Sequence, residues 1–269
     1  MCENCSKKII RGECGAVGKP QDQMELDTYL AVIHGLEGNE QDVPVVADIR
    51  RDLDIFPIIQ SFKNRMHIYD DRVLVNPVKI LNTILYESKN KFCWIFANSL
   101  YNYVEWLYTH SINVAIISLM IAERQKYSDE ELMNIGLGAF LHDVGKLLVP
   151  KSIIQKPGLL NTTEMSFIKQ HCEEGLNFLL PFRLPKDCTD IVLQHHERLD
   201  GSGYPNGLME DEISRNAKIV MIADSIDAIT SIRPYKLPQE IEVAICILKN
   251  DEEKYSRKLV SMLDKILIS

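Results

Sequence analysis

From about Pro77 to the end of the chain, apolar residues recur every three or four positions almost without interruption. That spacing predicts α-helices that each bury one face. The pattern predicts helices over 77–89, 95–125, 129–142, 161–180, 187–197, 214–231, 238–249 and 251–267. Ser128 stands where an N-cap belongs, with acids in the turn that follows. Asn161, with Glu164 three residues on, reads as a capping box. Pro150 and the run Lys156-Pro157-Gly158 mark a connecting loop. No alternating strand pattern of useful length follows residue 77, so residues 76–269 are expected to form an all-α bundle. Residues 1–75 are less regular. Segments near 26–34 and 54–63 fit short helices or strands, and GLEGNEQDVP between them reads as a loop. This region is expected to be an N-terminal extension or small module, and its pattern discloses no function.

Certain ionisable residues interrupt the apolar stripes. His110 lies between Leu107, Val114 and Ile117. His142 and Asp143 end the apolar run GLGAFLHDVGKLLVP, and Lys146 follows three residues later. His171 comes one turn after Phe167 and Ile168. Asp224 sits beside Val220, Met221 and Ala228, where an unpaired carboxylate would be costly. His195 and His196 are adjacent, and LDGSGYP follows soon after. Successive helical residues point about 100° apart, so such a pair makes sense if each imidazole serves a different metal ion, or one an ion and the other a substrate phosphate. Any one of these residues alone is an ordinary core polar group. Together they include five of the seven histidines. Helical bundles build metal sites from side chains projecting inward from facing helices. Five imidazoles and two carboxylates exceed what one ion uses and match two ions bridged by Asp143. Nitrogen and oxygen ligands without thiolate suit iron, manganese or zinc.

The net charge of −8 over 269 residues argues against binding of long nucleic acid. The longest mostly apolar run, 114–122, is too short to span a bilayer. The start MCENCSKKII lacks the apolar core of a signal peptide. The odd count of seven cysteines fits reduced thiols and a cytoplasmic location. Cys2, Cys5 and Cys14 leave two readings open, a tail with reactive thiols or a zinc or iron–sulfur clip lacking a fourth ligand.

The order His110, His142-Asp143, His171, His195-His196, Asp224 resembles the HD-GYP branch of the HD metal-dependent phosphohydrolases. HDVGK at 142–146 is similar to the HD signature, and HHERLDGSGYP at 195–205 to the signature that gives the branch its second name. The likeness extends over roughly 95–250, including VPKSIIQKPGLLN and ADSIDAITSIRPYK. It implies an HD-domain bundle that hydrolyses cyclic di-GMP to linear pGpG by hydroxide activated between two divalent metal ions, iron or manganese. Carried over residue by residue, it makes His110, His142, Asp143, His171, His195, His196 and Asp224 the metal ligands. Lys146 would stand near the reacting phosphate, with Asp143 and Lys146 the catalytic pair. Arg233 and Lys236 would hold substrate phosphate, and Tyr204 would stack on guanine or pack its loop. Members with a third metal carry a glutamate one helical turn before the first histidine. Here that position is Trp106, and Glu105 is out of phase, so two ions and pGpG rather than GMP are expected. The Gly-Tyr-Pro loop is also a candidate docking site for a diguanylate cyclase domain. The alternatives are a non-catalytic cyclic di-GMP receptor and an HD phosphohydrolase acting on another cyclic dinucleotide.

Overall fold

The computed structural model describes residues 54–86, 91–233 and 237–268, all of which fall within one compact unit, Pro44–Ser269. The segment 26–34, the three N-terminal cysteines and Lys236 lie outside the described residues. Among those described there is no strand, and an isolated antiparallel bridge joins Asp200 to Met209. The all-α expectation therefore holds.

The helices are α1 (Phe56–Arg65), α2 (Arg72–Tyr86), α3 (Lys91–Tyr103), α4 (Glu105–Arg124), α5 (Asp129–Leu141), α6 (Lys151–Ile154), α7 (Thr162–Lys169), α8 (His171–Leu179), α9 (Lys186–Gln194), α10 (Arg215–Thr230), α11 (Ile241–Asn250) and α12 (Arg257–Ile268). A 3₁₀ turn, Val144–Leu148, follows α5. Helix α4 is the axis of the fold. It is apolar around its whole circumference and is buried from Ile112 to Ala122, as expected of a helix surrounded by others. Helices α2, α3, α5 and α10 pack on it. Helix α10 is buried in the same way on most of its length, so two central helices place His110 and Asp224 side by side.

Both capping boxes form. Ser128 accepts from Glu131 N while the Glu131 carboxylate takes Ser128 N, and Asn161 and Glu164 do the same for α7. Several boundaries differ from the hydrophobic pattern. The span 95–125 is two helices, parted at Val104, whose backbone is extended (φ −151°, ψ 106°). The span 161–180 divides between Lys169 and His171. The last helix begins at Arg257 rather than 251. Pro77 lies inside α2 rather than at its head. Leu74 and Leu81 are buried on its face, and their packing outweighs one missing backbone donor. The 54–63 segment, ambiguous in sequence, is helix α1 with Pro57 in its first turn, a position where proline costs no hydrogen bond. It packs on α4.

A candidate metal centre

Five pieces of chain converge at one end of α4 and α10. Helix α4 presents His110. The end of α5 presents His142, with Asp143 on the next residue opening the 3₁₀ turn. His171 is the first residue of α8, His195 caps the end of α9, and Asp224 comes from α10. The 3₁₀ turn reaches α8 only because Gly145 and Gly175 meet there. A Cβ on Gly145 would overlap the carbonyl oxygen of His171 and stand 2.6 Å from Gly175 N.

The seven side chains form two groups. Asp143, His171, His195 and His196 make one, and His110, His142 and Asp224 the other; within each, the offered atoms lie within 4.8 Å of one another. Asp143 faces both groups. Its Oδ1 is 3.3 Å from His171 Nε2 and 3.7 Å from His195 Nε2. Its Oδ2 is 3.3 Å from His142 Nε2 and 3.6 Å from His110 Nε2. A carboxylate with one oxygen toward each group of imidazoles has the pose of a bridge. The adjacent histidines do not divide between the groups. His195 is the C-cap of α9, still with helical backbone angles, and the two rings lie tilted against each other at 4.2 Å between centroids. Both rings fall in the first group, although His196 Nδ1 also lies 3.8 Å from Asp224 Oδ2.

Hydrogen bonds on the far side of the rings settle which nitrogens are bare. His142 Nδ1 is 2.7 Å from Ala139 O, His171 Nδ1 is 2.5 Å from Ile168 O, and His195 Nδ1 is 3.0 Å from Val192 O. A carbonyl only accepts, so each Nδ1 carries the proton and each neutral ring turns an unprotonated Nε2 inward. His110 is turned the same way by two groups at its Nδ1, Asp227 Oδ2 at 2.6 Å and Arg233 NH2 at 3.0 Å. The result is a set of buried lone pairs without donors. His110 Nε2, His142 Nε2 and Asp143 Oδ1 lack a hydrogen-bond partner, and His171 Nε2 faces His195 Nε2 at 3.1 Å. Lone pairs and carboxylates that converge without donors fit divalent cations.

Electrostatics agree. Burial, helped by His142 and His171 nearby, pushes His195 down to about 4 and keeps it neutral. Burial and His195 hold His196 well below its ordinary value. Burial would raise the Asp143 carboxyl, but His142 and Lys146 hold it well below the usual range. Asp224 is likewise held well below the usual carboxylate range by the imidazoles beside it, His110 first. Asp143 in turn draws the His142 imidazole upward against its burial, so the centre holds two carboxylates with His195 and His196 kept neutral beside them.

The surrounding side chains take definite places. Lys146 Nζ is 2.6 Å from Asp143 Oδ2. The Tyr204 ring stacks on His196, with centroids 4.7 Å apart at 28°. The Arg233 guanidinium lies over Trp106 at 4.6 Å and within 3.8 Å of Asp227 Oδ2. It is buried between them rather than extended into solvent.

Two site residues carried no assigned role in the sequence. Asp227 is fully buried, and its Oδ1 accepts from Asn113 at 2.9 Å and Arg65 at 2.8 Å. Its signal was the three-residue spacing from Asp224 on a helix apolar all round. Glu197 is also fully buried, and accepts from Asn206 N at 2.7 Å and Leu208 N at 3.0 Å. It ties the Gly-Tyr-Pro loop to the end of α9.

Comparison with known proteins bears on this geometry. The chain is 35% identical over 218 residues to the cyclic di-GMP phosphodiesterase of Thermotoga maritima, covering 76% of this chain and 58% of that protein. It is 37% identical over 145 residues to the 3'3'-cGAMP-specific phosphodiesterase 3 of Vibrio cholerae, covering 53% of this chain and 31% of that one. The chain thus spans less than two thirds of the length of these relatives. In fold it is similar to Bd1817, an HDG"Y"P protein from Bdellovibrio bacteriovorus, with a TM-score of 0.55, 20% identity, and coverage of 92% of this chain and 78% of that one. The model of the HD domain matches residues 95–259, which takes in all seven converging side chains, and the chain belongs to the HD domain family.

Proposed function

We propose that the chain is a metal-dependent phosphodiesterase that hydrolyses cyclic di-GMP, mainly to linear pGpG. The observation that carries this reading is the pose of Asp143, one oxygen to each group of imidazoles. His171, His195 and His196 with Asp143 would hold one divalent ion, and His110, His142 and Asp224 with Asp143 a second. Ions held there withdraw charge from a phosphodiester and make water more acidic at neutral pH. Asp143 stays ionised and keeps the two groups in register. Lys146, next to Asp143, is placed to donate a proton to the leaving 3′ oxygen or to offset charge developing on the phosphate. Arg233 is fixed by Trp106 and Asp227 at the rim of the His110 group, where a fork of donors suits phosphate. Lys236 would add a point charge. Tyr204 supports His196 by stacking.

Two ions rather than three rest on Trp106. One turn before His110 there is an indole covered by a guanidinium, which offers no anionic ligand. Iron and manganese are the ions that we favour, in a cytoplasmic setting. No helix among the described residues is long and apolar enough to cross a membrane. A diguanylate cyclase docking on the Gly-Tyr-Pro loop would meet Ser202, Asn206 and Gly207, which are exposed, rather than the ring of Tyr204.

The test is turnover. Purified chain loaded with Mn(II) or Fe(II) is given cyclic di-GMP and 3'3'-cGAMP separately, and products are resolved by chromatography. Cyclic di-GMP turned over faster, with pGpG accumulating, is the expected result. Faster cleavage of the hybrid would favour the activity named for the Vibrio cholerae relative. Binding without any product would sink the enzymatic reading and leave a receptor. His196→Ala is expected to abolish turnover, and metal analysis to find two ions per chain; three would overturn the argument from Trp106.

A further inference from the structure

Helix α1 lies ahead of the residues matched by the family model, yet one of its side chains enters the ligand network. Arg65 NH2 donates to Asp227 Oδ1 at 2.8 Å, and its NH1 donates to Thr230 Oγ1 at 2.9 Å and to Ser231 Oγ. It therefore grips the last turn of α10, the helix that carries Asp224. Asp227 Oδ1 also accepts from Asn113 Nδ2 at 2.9 Å and Ser231 Oγ at 2.8 Å. Three donors on one oxygen leave the carboxylate no freedom to rotate, and its other oxygen is aimed at His110 Nδ1, 2.6 Å away. That contact, with Arg233 NH2 3.0 Å from the same nitrogen, fixes the plane of the ring and so the direction of Nε2.

We propose that Arg65 is a positioning residue of the metal centre. Through Asp227 it sets the His110 ring, and so controls occupancy of the His110–His142–Asp224 group. The proposal rests on the reading of the seven side chains as ligands. Its physical basis is charge as well as geometry. Asp224 and Asp227 are two buried carboxylates one turn apart on α10, and a buried carboxylate needs a cation beside it. Without Arg65, Asp227 Oδ1 loses its charged donor and the last turn of α10 loses its clamp, so the carboxylate regains freedom to rotate and Oδ2 no longer holds His110 in one pose. Partners that orient metal-ligating histidines typically change metal affinity 10–100-fold when removed.

The experiment is a calorimetric titration of metal-stripped full-length chain with Mn(II), run on wild type, Arg65→Gln, His110→Ala and a control, Arg72→Gln. Arg72 is exposed and pairs with Asp70. For Arg65→Gln the expected result is one ion bound as in wild type and the second about 10–100-fold weaker, with kcat lowered and KM unchanged. Arg72→Gln should match wild type. A purely structural arginine would lower the melting temperature and leave both affinities alone, and that result overturns the proposal. If Arg65→Gln does not fold, Arg65→Lys keeps the charge but cannot reach Asp227, Thr230 and Ser231 together. Weaker binding of the second ion then supports the proposal, and unchanged binding overturns it. Should His110→Ala keep both ions, the ligand assignment itself fails and the role of Arg65 falls with it. Loss in His110→Ala without loss in the Arg65 variants refutes the role of Arg65 alone.

Discussion

Lys146 Nζ sits 2.6 Å from Asp143 Oδ2, the oxygen that also faces His142 and His110. Asp143 caps the 3₁₀ turn and Lys146 lies within it, so the backbone of the turn brings the ammonium to the carboxylate. Replacing Lys146 with Met keeps the stem and removes the donor and the charge. Turnover is expected to fall by about 10²–10⁴, the usual range for a general acid, with Mn(II) uptake intact. Full activity in a metal-loaded Lys146→Met enzyme would leave the lysine a structural partner of Asp143 and nothing more.

Tyr204 stacks its ring on His196 and takes Lys169 Nζ over the same ring at 5.1 Å. Tyr204→Phe keeps the stack and should keep both ion binding and turnover. Tyr204→Ala frees His196, and a loss in Mn(II) affinity together with kcat is expected. A rise in KM alone, with ions bound normally, would show that the ring meets a base instead.

Glu197 holds the loop after α9 through two backbone N–H groups, one on each oxygen. In Glu197→Gln one of those positions becomes an amide nitrogen, which cannot accept. An unmade buried hydrogen bond costs about 1–3 kcal/mol, or several degrees in melting temperature for a domain of this size, at about 2–4 °C per kcal/mol. Thermal unfolding of the metal-free protein would show it. A melting point equal to that of wild type would mean that water reaches these groups.

Gly145 is the tightest approach near the site. Gly145→Ala would drive a methyl into the backbone at His171 and Gly175, and neither is the far end of a flexible side chain. A loss of about 3 kcal/mol is expected, at the upper end for overpacking, and His171 should move with it. Denaturant unfolding measures the first effect and Mn(II) affinity the second. Stability and affinity both at wild-type levels would show that the two segments can part cheaply.

Polar groups set in apolar stripes made the seven converging residues visible before any coordinates, because a buried imidazole or carboxylate needs a reason. The residues behind them were not visible for the same cause in reverse. Asp227 had only its three-residue spacing from Asp224 to mark it, and that spacing does not reveal which imidazole its carboxylate meets. Arg65 lay in a segment that fitted helix or strand, and a cation 162 residues away in sequence from its carboxylate leaves no local trace. The break at Val104 was hidden too. Neither Gly nor Pro marks it, and it arises where α3 and α4 pack in different directions.

The link from Arg65 to Asp227 also redraws the border of the working unit. The shared family pattern starts at residue 95, but one of the two guanidiniums beside this carboxylate, Arg65, comes from outside it. A fragment trimmed to the homologous portion would keep every ligand and lose a counter-ion. Comparative work on such trimmed pieces would then understate how firmly the intact polypeptide keeps its second ion.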